Sequence, residues 1–181
     1  MSRIPLIDTS TASGERKLVL DQIQQAFGAT PAMFRAVAHS PAALKSLFGT
    51  FGALGKGALP AKLGEQLAVA IADRNECEYC LAAHTALARK AGATPQEISA
   101  AQEGRSDDAR TAAALSFALK IVENRAHIDD ADVDAVRAAG FNDEEIVEII
   151  AHVALNLFTN YINVALQVPV DFPAVKLRTV A

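Results

Sequence analysis

The sequence predicts an all-α protein, and three observations carry that expectation. No segment sustains the period-two alternation of β-branched residues that marks a strand. Apolar residues instead recur at helical spacing between punctuating Gly, Pro, Ser, Thr and Asn residues. Hydrophobic residues make up 51% of the chain but aromatics only 6%, a balance that favours helices with small, close-packing faces over a β-sandwich.

Taken in order, residues 1–14 carry Pro5 with Ser and Thr and read as an arm. Residues 15–27 place Leu18, Leu20, Ile23 and Phe27 on a helical period, and Gly28 suits the helix end. Thr30-Pro31 then reads as an N-cap with Pro at the first helical position, opening a short helix through Met33, Phe34 and Val37. Ser40-Pro41 repeats the signal for a helix through Leu44, Leu47, Phe48 and Phe51. The glycine-rich run 49–57 is not a phosphate loop. Thr50 stands where a Walker loop needs Gly, and Gly57 follows Lys56 in place of Ser or Thr. It reads as a helix end and connector.

Residues 60–73 form an amphipathic helix containing Glu65. Asn75 is the expected N-cap of the next helix, which runs to about Ala91 and stops at Gly92. Thr94-Pro95-Gln96-Glu97 opens a short helix, 104–108 is a polar turn, and 109–124 and 128–139 are two more helices. Asn142 caps a last helical region over 143–167, with a possible break midway. Residues 168–181, with Pro169 and Pro173, read as an irregular tail. The whole, 1–181, reads as one domain. A faint internal echo relates 65–72 to 145–152, the sign of a possible helical repeat.

Composition also bounds function. Net charge is −4 with no basic block, so nothing marks a nucleic-acid partner. The N-terminus lacks the apolar core of a signal peptide, and His152, Asn156, Thr159, Asn160 and Asn163 interrupt the most apolar run. A buried helix is therefore expected there, with no membrane span, and the chain is expected in the cytoplasm. In that compartment a close Cys pair is more often catalytic or metal-binding than a structural staple.

That pair is Cys77 and Cys80, the two cysteines of the chain, with His84 beyond them. On a helix the three occupy i, i+3 and i+7, one face, with Cys77 in the first turn. A thiol attacks as thiolate, so something must lower its pKa or take its proton. The helix N-terminus, His84 and Glu65 on the preceding helix are the suppliers in reach. Two thiols three residues apart can also close a disulfide. Other readings of the same residues are a zinc site of Cys77, Cys80, His84 and Glu65, inert buried cysteines, or a thioredoxin-type exchange motif, whose usual βαβ context is missing.

Glu65, eleven residues, Cys77-Glu78-Tyr79-Cys80, three residues, then His84 resembles the signature of the AhpD-like alkylhydroperoxidases of the carboxymuconolactone decarboxylase superfamily. The resemblance covers about residues 30–170, including the late Phe158-Thr159-Asn160-Tyr161. It implies an all-α, AhpD-like helical fold that assembles into homo-oligomers, commonly trimers or hexamers. It also implies a cofactor-free peroxidase that reduces a hydroperoxide substrate. By this resemblance Cys80 is the peroxidatic thiolate, Cys77 resolves it into a disulfide, and Glu65 and His84 relay protons. A dithiol reductant of lipoyl or thioredoxin type would recycle the pair. Two alternatives stand beside it: a lactone decarboxylase using Glu65 and His84, and a non-catalytic zinc or interaction module. Tyr79 departs from the family, whose well-known members carry His beside the second Cys; a phenol is a poor proton shuttle at neutral pH. His152 reads as a core histidine, His39 and His127 as helix-end residues, and Phe48 and Phe51 as core or interface.

Overall fold

Residues 2–178 are described by the computed structural model, and their regular elements are nine α-helices. These are α1 (Gly14–Phe27), α2 (Ala32–Val37), α3 (Pro41–Leu54), α4 (Ala61–Arg74), α5 (Glu78–Lys90), α6 (Pro95–Gln102), α7 (Ala109–Glu123), α8 (Asp130–Ala138) and α9 (Asp143–Leu166). Local chemistry sets most of their ends. Ser40 and Asp108 accept backbone N–H groups of α3 and α7, and Thr94, Asp129 and Asn142 form reciprocal capping boxes with Glu97, Asp132 and Glu145. Each such cap stabilises its helix by about 1 kcal/mol. Gly28 closes α1 with φ at 73°, a left-handed conformation that a Cβ would strain.

α4 lies at the centre, packed against α5, α6, α7 and α9. Between Leu63 and Asp73 it is buried at every position but Glu65, and Leu67, Val69, Ile71 and Ala72 are fully buried. Burying each large aliphatic side chain contributes roughly 1.5–3 kcal/mol, so this helix anchors the core. α9 crosses it and also touches α2, α3, α5, α7 and α8. By length and composition α9 could span a bilayer; within this fold its Ile146, Ile149, Val153 and Leu155 are core residues.

Two features bear on the sequence expectation. The N-cap of α2 is Pro31, not Thr30, whose hydroxyl donates instead to Gln24 Oε1 at 2.9 Å. α9 runs unbroken for 24 residues; its buried Asn156 and Thr159 bond to the helix's own carbonyls, and Asn160 and Asn163 to Asn75 and Cys80. That continuity bears on the internal echo: residues 65–72 lead into the α4–α5 turn, whereas 145–152 lead into further helix.

The described parts of the arm and tail are irregular but tied down. Arg3 N–H donates to Leu166 O, Ile7 N–H to Arg35 O, and His39 Nε2 contacts Pro5 O at 2.7 Å. In the tail the Asp171 carboxylate accepts the Ala32 N–H at 2.7 Å, and Arg178 N–H donates to Asp73. Met1 and residues 179–181, the outer ends of the expected arm and tail, lie outside the described residues.

Candidate active site

The turn between α4 and α5 builds the site. The chain leaves α4 at Asn75, passes Glu76 in the left-handed region at φ 53°, and re-enters extended backbone at Cys77. Holding a non-glycine residue there costs on the order of 1 kcal/mol. Asn75 is not the N-cap of α5; it ends α4, and its side-chain N–H donates to Asn160 Oδ1 on α9 at 2.9 Å. With that amide committed, Cys77 caps α5: its Sγ accepts the Cys80 N–H at 3.2 Å. Cys77 therefore precedes the first helical turn, and only Cys80 and His84, four apart, share a face of α5.

Cys77 and Cys80 are joined in a disulfide, with Cα atoms 5.3 Å apart. Both are almost fully buried. Asn163 on α9 donates its side-chain N–H to Cys80 Sγ at 3.2 Å, and its own Oδ1 is buried with no partner. One turn beyond Cys80, His84 Nδ1 lies 2.8 Å from Glu65 Oε2. The carboxylate accepts, so Nδ1 carries the hydrogen and Nε2 is the basic nitrogen. Glu65 is thus brought onto His84, as the spacing of α4 and α5 predicts. Among the described residues no group of three or more His, Cys, Asp or Glu side chains converges as a metal would require.

Two cavities meet at His84. One, of about 260 Å³, is bordered by Cys80, His84, Tyr79, Asn163 and Asp171 and walled by Phe27, Met33, Phe34, Phe51, Leu87 and Phe172. The other, of about 330 Å³, is bordered by Glu65, His84 and His152. The dyad therefore spans from the sulfur side to a second chamber. Phe27, Phe34, Phe48 and Phe51 form one aromatic cluster; Phe51 lies on both cavities, whereas the sequence placed it in the core or at an interface.

Residues 41–124 match the model of the carboxymuconolactone decarboxylase family, and these residues hold Glu65, Cys77, Cys80 and His84. The fold agrees over nearly the full length. An alkylhydroperoxidase AhpD core protein from Ralstonia eutropha JMP134, itself an uncharacterized peroxidase-related protein, is 26% identical, with 94% of this chain and 92% of that one covered at a TM-score of 0.83. By this family model and these solved structures, the chain is similar to the AhpD-like proteins of the carboxymuconolactone decarboxylase superfamily. A peroxidase-related protein from Silicibacter sp. TM1040 is 27% identical, covering 93% of this chain and 91% of that one at a TM-score of 0.81. The debrominase Bmp8, in a complex with 2,3,4-tribromopyrrole, is 22% identical over 94% of each chain at a TM-score of 0.79. That last likeness is one of fold alone, and one fold hosts different chemistries. No curated protein matches the chain.

Where the resemblance leads one to expect His, this chain carries Tyr79. Its ring is buried, edge-on to Phe172 at 5.7 Å, and its oxygen accepts the Met33 N–H at 3.3 Å. Burial, and then the nearby Asp171 carboxylate, push the phenol well above its ordinary range, against the opposing effect of the Met33 bond. Tyr79 pins α5 to the start of α2 and to the tail. Sequence reasoning missed Asn163 and Asp171 and set His152 in the core. Asn156, Asn160 and Asn163, spaced three and four apart on an apolar helix, were the available signal: amides kept at inward positions need partners there.

Proposed function

We propose that this protein reduces hydroperoxides with the Cys77–Cys80 pair and is recycled by an external dithiol. The observation that carries this reading is a disulfide adjoining a hydrogen-bonded Glu65–His84 dyad on an aromatic-walled cavity. In this reading Cys80 gives its proton to His84 and attacks the outer peroxide oxygen. The S–O bond forms as the O–O bond breaks, and the departing alkoxide recovers the proton from His84, leaving an alcohol and a Cys80 sulfenic acid. Glu65 supports the transient imidazolium. The Cys77 sulfur then attacks the Cys80 sulfur, and hydroxide leaves protonated as water. A dithiol returns two electrons and restores both thiols. The Asn163 N–H favours the Cys80 thiolate, and its unpaired Oδ1 offers an acceptor to the peroxide O–H.

The phenylalanines around the cavity favour an organic hydroperoxide over hydrogen peroxide. Two free thiols at rest require a reducing compartment, which in this reading is the cytoplasm. The exposed Val147 and Ile150 on α9 are assigned to self-association. Thiol titration before and after one equivalent of cumene hydroperoxide is the direct test. Two thiols per chain should disappear into one intramolecular disulfide; thiols that persist overturn the reading. The family model favours a second reading, decarboxylation of a carboxylated lactone by Glu65 and His84 alone. Turnover of such a lactone surviving Cys77→Ser with Cys80→Ser would establish it.

A further inference from the structure

The two sulfurs of the disulfide border different cavities. Cys80 lies on the aromatic cavity and Cys77 does not. Cys77 lies instead on a third cavity of about 560 Å³, between the α4–α5 turn and the end of α9, where Cys80 is absent. Its rim carries Glu76 and Glu78, both exposed, and the half-exposed Val164 and Val170. Among the described residues lining it there is no Lys, Arg or His.

We propose that the reductant enters by this separate mouth and attacks Cys77, and that the mouth selects thiols that carry no negative charge. The inference rests on the redox reading above and deepens it. Attack at Cys77 expels Cys80, the sulfur that already accepts the Asn163 N–H and shares a cavity with His84. An expelled Cys80 thiolate keeps that N–H and the cavity it shares with His84, so the structure provides for it as the leaving group. Cys77 also caps the N-terminus of the 13-residue α5, where backbone N–H groups favour the approach of an anionic sulfur. Glu76 and Glu78 then act on whatever other charge the thiol carries.

The electrons balance in two exchanges. The first thiolate of the reductant bonds to Cys77 Sγ as the Cys77–Cys80 bond breaks, and Cys80 departs as thiolate. The second thiolate attacks the reductant's own bonded sulfur and expels Cys77. The reductant leaves as a disulfide, and both protein sulfurs are reduced.

Full-length protein oxidised with diamide, so that no peroxide step is involved, provides the test. Its reduction is timed with cysteamine, 2-mercaptoethanol and 3-mercaptopropionate, each rate expressed per thiolate. Rates should fall from the cationic to the neutral to the anionic thiol, with a spread of about tenfold at low salt. The spread should collapse at high salt and in Glu76→Gln with Glu78→Gln, or narrow in Glu78→Gln alone. Acid quench, alkylation and peptide mapping should find the thiol on Cys77 and the alkyl group on Cys80. Equal rates for the three thiols, or the thiol adduct on Cys80, would overturn the inference. Peroxide failing to form the disulfide would instead overturn the peroxidase reading and leave the entrance standing.

Discussion

Asn163 reaches Cys80 from α9, 83 residues along the chain, and donates to its sulfur from a buried position. A hydrogen bond to a charged acceptor is worth roughly 1.5–3 kcal/mol, and part of that is gained only when Cys80 is ionised. Asn163→Ala is therefore expected to slow oxidation of Cys80 by hydroperoxide about tenfold, as read by stopped-flow thiol loss. Tyr79 touches the same turn with a different consequence. Its phenol stays protonated across the neutral range, so Tyr79→Phe should leave the pH profile of peroxide oxidation unmoved. Loss of the acceptor for the buried Met33 N–H should cost about 1–3 kcal/mol of stability in urea titration. A profile shifted by Tyr79→Phe would return the phenol to the proton path.

At the scale of elements, α4 and α9 meet through a glycine and a histidine. A Cβ on Gly64 would lie 3.1 Å from His152 Cε1, so the absence of a side chain at Gly64 lets the imidazole sit against α4 beside Glu65. Burial holds the His152 pKa below its ordinary 6.5, with His84 adding to that effect and Glu148 and Glu65 opposing it. The sign of the linkage follows. The unfolded chain takes up a proton here near pH 6.5 while the folded chain resists, so this contribution is intact above that pH and lost as pH falls below it. His152→Gln is expected to flatten the fall in urea midpoint between about pH 7 and pH 5. The same fall in both proteins would assign the acid sensitivity elsewhere.

For the molecule as a whole, most apolar side chains meet in one core, but Val147 is 64% and Ile150 is 41% exposed on adjacent turns of α9. Burying such side chains against a second copy is worth roughly 1.5–3 kcal/mol each. Val147→Lys with Ile150→Lys should therefore shift the sedimentation coefficient toward the monomer while leaving the helical circular dichroism unchanged. An unshifted coefficient would overturn the assignment of this face to self-association. The carboxylate of Glu148, between them in sequence, accepts the Ala58 and Leu59 N–H groups and so ties the glycine-rich connector to α9. That contact holds the residues immediately after the run 49–57 against α9.

Helix periods and caps are local properties, and the sequence by itself determined them: the all-α class and most element ends. The meeting of His84 with Glu65 was also legible, because two adjacent helices joined by a short turn must return side by side. Contacts between residues far apart in sequence were not. Which amide would be free to cap α5 depended on Asn160, 85 residues from Asn75, and that contact moved Cys77 out of the helix and onto its cap. Asn163 on Cys80, Asp171 behind Tyr79 and Val164 beside Cys77 likewise exist only because α9 and the tail fold back over the turn. The tertiary structure alone decided that the two sulfurs, three residues apart, border separate cavities, since a cavity is bounded by every segment that packs around it.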